Sequence, residues 1–144
     1  MVRQRIPAAV RKKLKEARVA RLATLEKRSP HIVPICFVFD GQNIYTAIDR
    51  KPKKKSVREL QRVRNIRANP QVAFIIDEYN NEDWRKLWYV LVRGRAELID
   101  EPGEKQERAI RLLRRKYSQY RAGLLRDEAD VIRIIPDRIT WWGM

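Results

Sequence analysis

Residues 50–55, Arg50-Lys51-Pro52-Lys53-Lys54-Lys55, crowd five cations into six positions. They run directly into Ser56-Val57-Arg58-Glu59, where the Ser56 hydroxyl can accept from the Glu59 amide while the Glu59 carboxylate reaches back to the Ser56 amide. This spacing predicts a helix start at Ser56. Free amides and the positive end of a helix dipole, set beside clustered ammonium groups, make a seat for a phosphate. Lysines there act as point charges on a dianion, and Ser56 offers a hydroxyl. From Arg50 to Arg67 nine basic residues meet Glu59 alone, a net +8 that holds over half of the chain's +15. A solvated basic turn would use the same residue types, so the surrounding elements must decide between the two.

Other chemistry has little to stand on. None of the five glycines forms GxGxxG or GxxxxGK[ST], which excludes the phosphate loops of those nucleotide-binding folds. His31 is the sole histidine and Cys36 the sole cysteine, so there is no histidine pair, internal disulfide or thiol cluster, and His31 reads as structural. Asp77, Glu78, Glu82 and Asp83 gather in one stretch but lack the spacing of a calcium loop; they read as acids balancing the basic excess, and no metal site is expected. No residue stands out as a general acid, base or nucleophile. If the chain is an enzyme, a bound cofactor supplies the reactivity.

The elements that would position the basic segment follow from periodicity. Pro7 with Val10, Leu14 and Ala17 predicts an opening amphipathic helix. Residues 19–25, 31–39 and 44–48 are β-branched or apolar and are separated by turn residues, which predicts a meander of three antiparallel strands. Pro34 cannot donate to a ladder and marks an edge, a bulge or a close approach. A helix from Ser56 ends at Asn69-Pro70; strands follow at 72–76 and 87–99, with Gly94 a bulge or barrel corner. Ile110, Leu113 and Tyr117 mark a third helix, and residues 131–135 a last strand leading to Trp141 and Trp142. About six strands with short turns and three flanking helices predict a mainly β, nearly closed antiparallel barrel. The 144 residues suit one domain, 1–144. The N-terminus lacks the apolar run of a signal peptide, and no stretch approaches the roughly 20 apolar residues of a membrane span, so the expected location is the cytoplasm.

Several segments, in order, resemble the pyridoxamine 5'-phosphate oxidase-like (PPOX-class) flavin and deazaflavin oxidoreductases, particularly their coenzyme F-420-dependent branch. They are Arg21-Leu22-Ala23-Thr24, Pro30-His31-Ile32-Val33-Pro34-Ile35, Tyr45-Thr46-Ala47-Ile48-Asp49-Arg50-Lys51-Pro52-Lys53, Asn65-Ile66-Arg67-Ala68-Asn69-Pro70, Asp77-Glu78-Tyr79, Glu82-Asp83-Trp84, Leu87-Trp88-Tyr89-Val90, Gly94-Arg95-Ala96 and Lys116-Tyr117. The resemblance implies a six-stranded antiparallel split β-barrel, the FMN-binding split barrel, that forms a homodimer with two cofactor sites at its interface. Carried onto this chain, Val33 and Pro34 back the ring system, and Tyr45, Thr46 and Ala47 lie near the ribityl chain. Lys51, Lys53, Lys54, Lys55 and Ser56 grip the phosphate, and Tyr89 with Trp141 or Trp142 comes from the other subunit. The implied reaction is hydride transfer involving a small organic substrate. Arg58, Arg62 and Arg64 extend the positive charge toward the anionic tail of a deazaflavin, which favours coenzyme F-420, with FMN as the alternative. A flavin-binding protein without turnover fits the same residues. A basic module for single-stranded nucleic acid is disfavoured, because no reading motif accompanies the charge.

Overall fold

The computed structural model describes residues 4–48 and 60–144. The opening helix, α1 (Ala8–Glu16), starts after an extended Pro7 and buries Val10 and Leu14. Seven strands follow: β1 (Ala20–Glu26), β2 (Ser29–Ile35), β3 (Val38–Phe39), β4 (Ile44–Ala47), β5 (Gln71–Glu78), β6 (Trp88–Ile99) and β7 (Val131–Trp142). Helices α2 (Gln61–Ala68) and α3 (Glu104–Lys116) interrupt them. Among the described residues no helix is long and apolar enough to cross a membrane.

The strands form one antiparallel sheet in the order β2-β1-β5-β6-β7-β4-β3. β2 and β3 therefore occupy opposite edges, although only Cys36 and Phe37 separate them in the chain. Two residues reach about 10 Å from Ile35 to Val38, so the sheet must curl until its edges adjoin. This is the split barrel, and its seam is a two-residue crossing.

The expected strand over 31–39 and the three-strand meander are corrected by this crossing. β2 pairs with β1 and β3 with β4, so one apolar run serves both edges and the count rises from six strands to seven. Nothing local marks the break, because Ile35, Phe37, Val38 and Phe39 are all buried. Side chains distant in sequence satisfy its backbone instead: Thr46 Oγ1 donates to the Cys36 carbonyl at 2.6 Å, and Lys116 and Tyr117 bind Phe37. The helix start is also corrected. Leu60 is extended at the N-cap of α2 and its carbonyl receives the Val63 and Arg64 amides, so the helix begins at Gln61. Ser56, Glu59 and the basic residues before them lie outside the described residues. Pro34 does sit on an edge strand, and the register shift between Arg93 and Gly94 is the expected bulge.

The core has two parts. Alternate residues of the sheet, among them Leu22, Phe74, Val92 and Ile139, point inward with Val10 and Leu14 of α1 and Val63 and Ile66 of α2. Outside the barrel, Ala109, Ile110 and Leu113 of α3 cover Val38, Tyr45, Ala47 and Val131. β4 is thus buried on both faces.

Candidate functional site

Side chains at laterally paired positions of a sheet share a face. The register therefore places the sequence-predicted residues. Tyr89 pairs with Trp142, and both point outward, 38% and 55% exposed. The next outward row runs Pro34, Arg21, Ile75, Leu91, Thr140, and the one after it Ile32, Ala23, Ala73, Arg93, Arg138. Along β6 the period is plain: Val90, Val92, Gly94 and Ala96 are buried, while Tyr89, Arg93 and Arg95 are exposed.

Two glycines hold this geometry. A Cβ on Gly94 would sit 2.2 Å from the Ile135 carbonyl oxygen, so the bulge against Pro136 needs its absence. Gly143, at φ 85°, lets the chain after Trp142 pass the Leu87 carbonyl, where a Cβ would lie 2.1 Å away.

The structure thus gathers Pro34, Tyr89 and Trp142 on one exposed face. Val33 and Trp141 point the other way and pack, half-buried, on the inner core. Tyr45 and Ala47 lie beneath α3, and Tyr45 Oη donates to Asp40 at 3.3 Å. Thr46 faces inward with its hydroxyl engaged at the seam. Lys51, Lys53, Lys54, Lys55 and Ser56 lie outside the described residues. Trp88 packs on the inner core, its indole N–H donating to Glu78 and its ring lying 4.5 Å from Lys13 Nζ.

Three of the four acids of the 77–83 stretch have structural partners. Asp77 lies 3.7 Å from Arg21, Glu78 accepts from Trp88, and Asp83 accepts from the Arg85 amide and guanidinium, which holds its carboxyl below the usual range. Among the described residues no group of acids, histidines or cysteines is arranged to hold a metal.

The other perturbed groups lie at the seam and under α3. Lys116 Nζ donates to the Ala17 and Phe37 carbonyls at 2.6 and 2.9 Å and sits 3.9 Å from the Phe37 ring centroid. Burial, then the Arg18 charge, bring its ammonium down to about 8. Tyr117 Oη accepts from the Phe37 amide at 3.0 Å and lies within donating distance of the Arg18 and Phe37 carbonyls; burial pushes the phenol up to about 12. Asp40 accepts from the Gln42 and Asn43 amides and from Arg108; burial opposes ionisation there, but these donors outweigh it and its carboxyl lies below the usual range. These groups fasten α3 to the barrel.

Sequence reading missed Arg93 and Arg138, which are directly opposed on that face. Alternation along residues 89–95 places Arg93 with Tyr89 and Leu91, but only the register across the bulge brings Arg138 opposite.

The fold and this face define a split-barrel protein with an uncovered aromatic and cationic surface on its sheet. The pyridoxamine 5'-phosphate oxidase model matches residues 6–143, and the chain belongs to that family. The chain is similar to the 5a,11a-dehydrotetracycline/5a,11a-dehydrooxytetracycline reductase of Streptomyces rimosus, 29% identical over 125 residues, 86% of this chain and 73% of that one. An FAD-binding protein from Mesorhizobium loti shares the fold with a TM-score of 0.68 at 22% identity, covering 94% of each chain. The haem storage protein HutZ of Vibrio cholerae does so with a TM-score of 0.73 at 17% identity, covering 96% of this chain and 94% of that one.

Proposed function

We propose that the protein is an oxidoreductase that holds a phosphorylated flavin or deazaflavin between two copies of itself and exchanges a hydride with a small organic substrate. The observation that carries this reading is the paired Tyr89 and Trp142 on an exposed sheet face, in a chain of the pyridoxamine 5'-phosphate oxidase family. The residues present fit a flat ring system: Pro34, Ile75 and Leu91 continue the face as apolar surface, and the nearby Asp77 is engaged by Arg21. The phosphate end falls to Lys51, Lys53, Lys54, Lys55 and Ser56, into which β4 leads from Tyr45, Thr46 and Ala47.

Tyr45 pairs with Arg133, nine residues before Trp142 on β7, about 30 Å along an extended strand. Tyr45 and Trp142 therefore stand far apart on a single copy, and in this reading a second copy docked on the bare face supplies the other part of each site. That face is suited to a twofold contact, with Ile32 63% exposed among Pro34, Val19 and Trp142.

The bound cofactor supplies the hydride chemistry. The chain's own part is to seat the ring against Tyr89 and Trp142, to keep water from it with Pro34 and Leu91, and to neutralise the phosphate with lysines. Arg58, Arg62 and the exposed Arg64 carry positive charge past the phosphate seat, which favours coenzyme F-420 over FMN. The reductase name of the Streptomyces relative supports the reducing direction.

Titration of flavin-free protein with coenzyme F-420 and with FMN, followed by fluorescence, tests this reading. The expected result is micromolar binding, tighter for coenzyme F-420. Lys51→Ala with Lys53→Ala should weaken it by about tenfold or more, and Arg111→Ala with Arg115→Ala, which removes equal charge from exposed positions of α3, by less than about twofold. Binding of neither molecule overturns the reading.

A further inference from the structure

Five arginines project from the outward side of this sheet: Arg21, Arg93, Arg95, Arg133 and Arg138. Three have acids on neighbouring strands, Arg21 with Asp77 at 3.7 Å, Arg95 with Asp137 at 3.9 Å, and Arg133 with Glu97. Arg93 and Arg138, the two that directly oppose each other, have no such acid among the described residues. Like charges at directly opposed positions destabilise a sheet, with Cβ atoms only about 5 Å apart. The rest of their row, Ala73, Ala23 and the exposed Ile32, gives the guanidinium groups no counter-charge.

The bulge beside them sharpens the arrangement. Asp137 is the extra residue between Arg138 and Pro136, and its carboxylate is taken up by Arg95. Gly94 makes this bulge possible, and bulges of this kind re-aim side chains beside binding sites. Two guanidinium forks at directly opposed positions are suited to the paired oxygens of a carboxylate or phosphate.

We propose that Arg93 and Arg138 form an oxyanion clamp for the organic substrate, which therefore carries a carboxylate or phosphate group. The clamp lies four residues along β6 and β7 from Tyr89 and Trp142, about 13 Å, with Leu91 and Thr140 as the floor between. The assignment to substrate rests on the reading that the cofactor ring lies at Tyr89 and Trp142. The anion site itself does not.

The test is made on flavin-free protein carrying Lys51→Ala and Lys53→Ala, so that the basic segment does not contribute. Benzoate, phenyl phosphate and inorganic phosphate are titrated calorimetrically. At least one of the two organic anions should bind more tightly than inorganic phosphate, and Arg93→Gln or Arg138→Gln should weaken it by about tenfold or more. Arg111→Gln on α3 should change it by less than about twofold. In anion-free buffer the Tm of either variant should be no lower than that of the parent, because a like-charge contact is relieved. No organic-anion binding, binding insensitive to both substitutions, or inorganic phosphate binding as tightly as either organic anion overturns the proposal. A fall in Tm without anion would assign the pair to the fold and also overturn it. Failure of wild-type protein to bind either cofactor would remove the flavin reading and leave these anion results standing.

Discussion

The outer surface of the barrel has two faces of opposite character. Over β3, β4 and the start of β7, α3 seals Tyr45, Ala47 and Val131 under Ile110 and Leu113, and the polar groups there find partners within the chain. Over the far end of β7 and across β6, β5, β1 and β2 no helix among the described residues covers the sheet, and Ile32, Tyr89 and Trp142 stand exposed beside two arginines with no acid partner among those residues. The covered face buries its side chains against α3, whereas the bare face leaves them exposed. A protein built only to be stable would not leave an aromatic pair and an opposed arginine pair on the same strands.

Substitutions should separate the faces sharply. Leu113→Ala under α3 should cost about 3 kcal/mol, read by chemical denaturation, because Leu113 is fully buried and the cavity cannot collapse easily. Tyr117→Phe should cost about 1–2 kcal/mol in the same measurement, since it strips the seam of the hydroxyl that meets Phe37. A loss as small as that of a surface change would show that the crossing does not depend on α3.

The seam should also reveal itself through pH. Lys116 has a folded value of about 8 against an ordinary 10.5, so the unfolded chain holds more protons between them. This group therefore makes folding more favourable as pH rises from about 8 to 10.5. Tyr117 acts in the opposite sense: its stabilising contribution is intact below its ordinary 10.0 and is lost as pH rises toward about 12. Lys116→Met should abolish the first effect, so wild type gains on the variant in Tm between pH 8 and 10. Parallel pH profiles would contradict the burial of this amine. The smallest effect on stability is expected on the bare face, where Trp142→Ser should change denaturation by less than about 1 kcal/mol while weakening self-association and cofactor binding.

The same contrast sets what could be read from the sequence. The barrel class, the three helices, the edge position of Pro34 and the bulge at Gly94 follow from local signals, because period, proline and glycine act within a few residues. The division of 31–39 was hidden, since Cys36 and Phe37 look like strand and their hydrogen bonds go to Thr46, Lys116 and Tyr117. The helix α2 begins after Leu60, where no capping side chain marks it, and the Ser56 cap lies outside the described residues. Of the site, Tyr89 and Trp142 were legible as aromatics at strand ends, but adjacent tryptophans gave no hint which turned outward. Arg93 and Arg138 were invisible as a pair because register across a bulge is not a local property.

The central claim is that two copies of the chain build each cofactor site, one giving the lysines and the other Tyr89 and Trp142. The most direct measurement mixes two variants by co-refolding, Lys51→Ala/Lys53→Ala and Tyr89→Ala/Trp142→Ala, and counts bound cofactor by fluorescence. Each variant alone should bind none, and an equal mixture should regain about a quarter of the wild-type sites, because half the dimers are mixed and each mixed dimer holds one intact site. If gel filtration at the mixing concentration shows dimers of both variants, each alone fails to bind and the mixture still regains nothing, both sets of residues belong to one copy and the account is wrong.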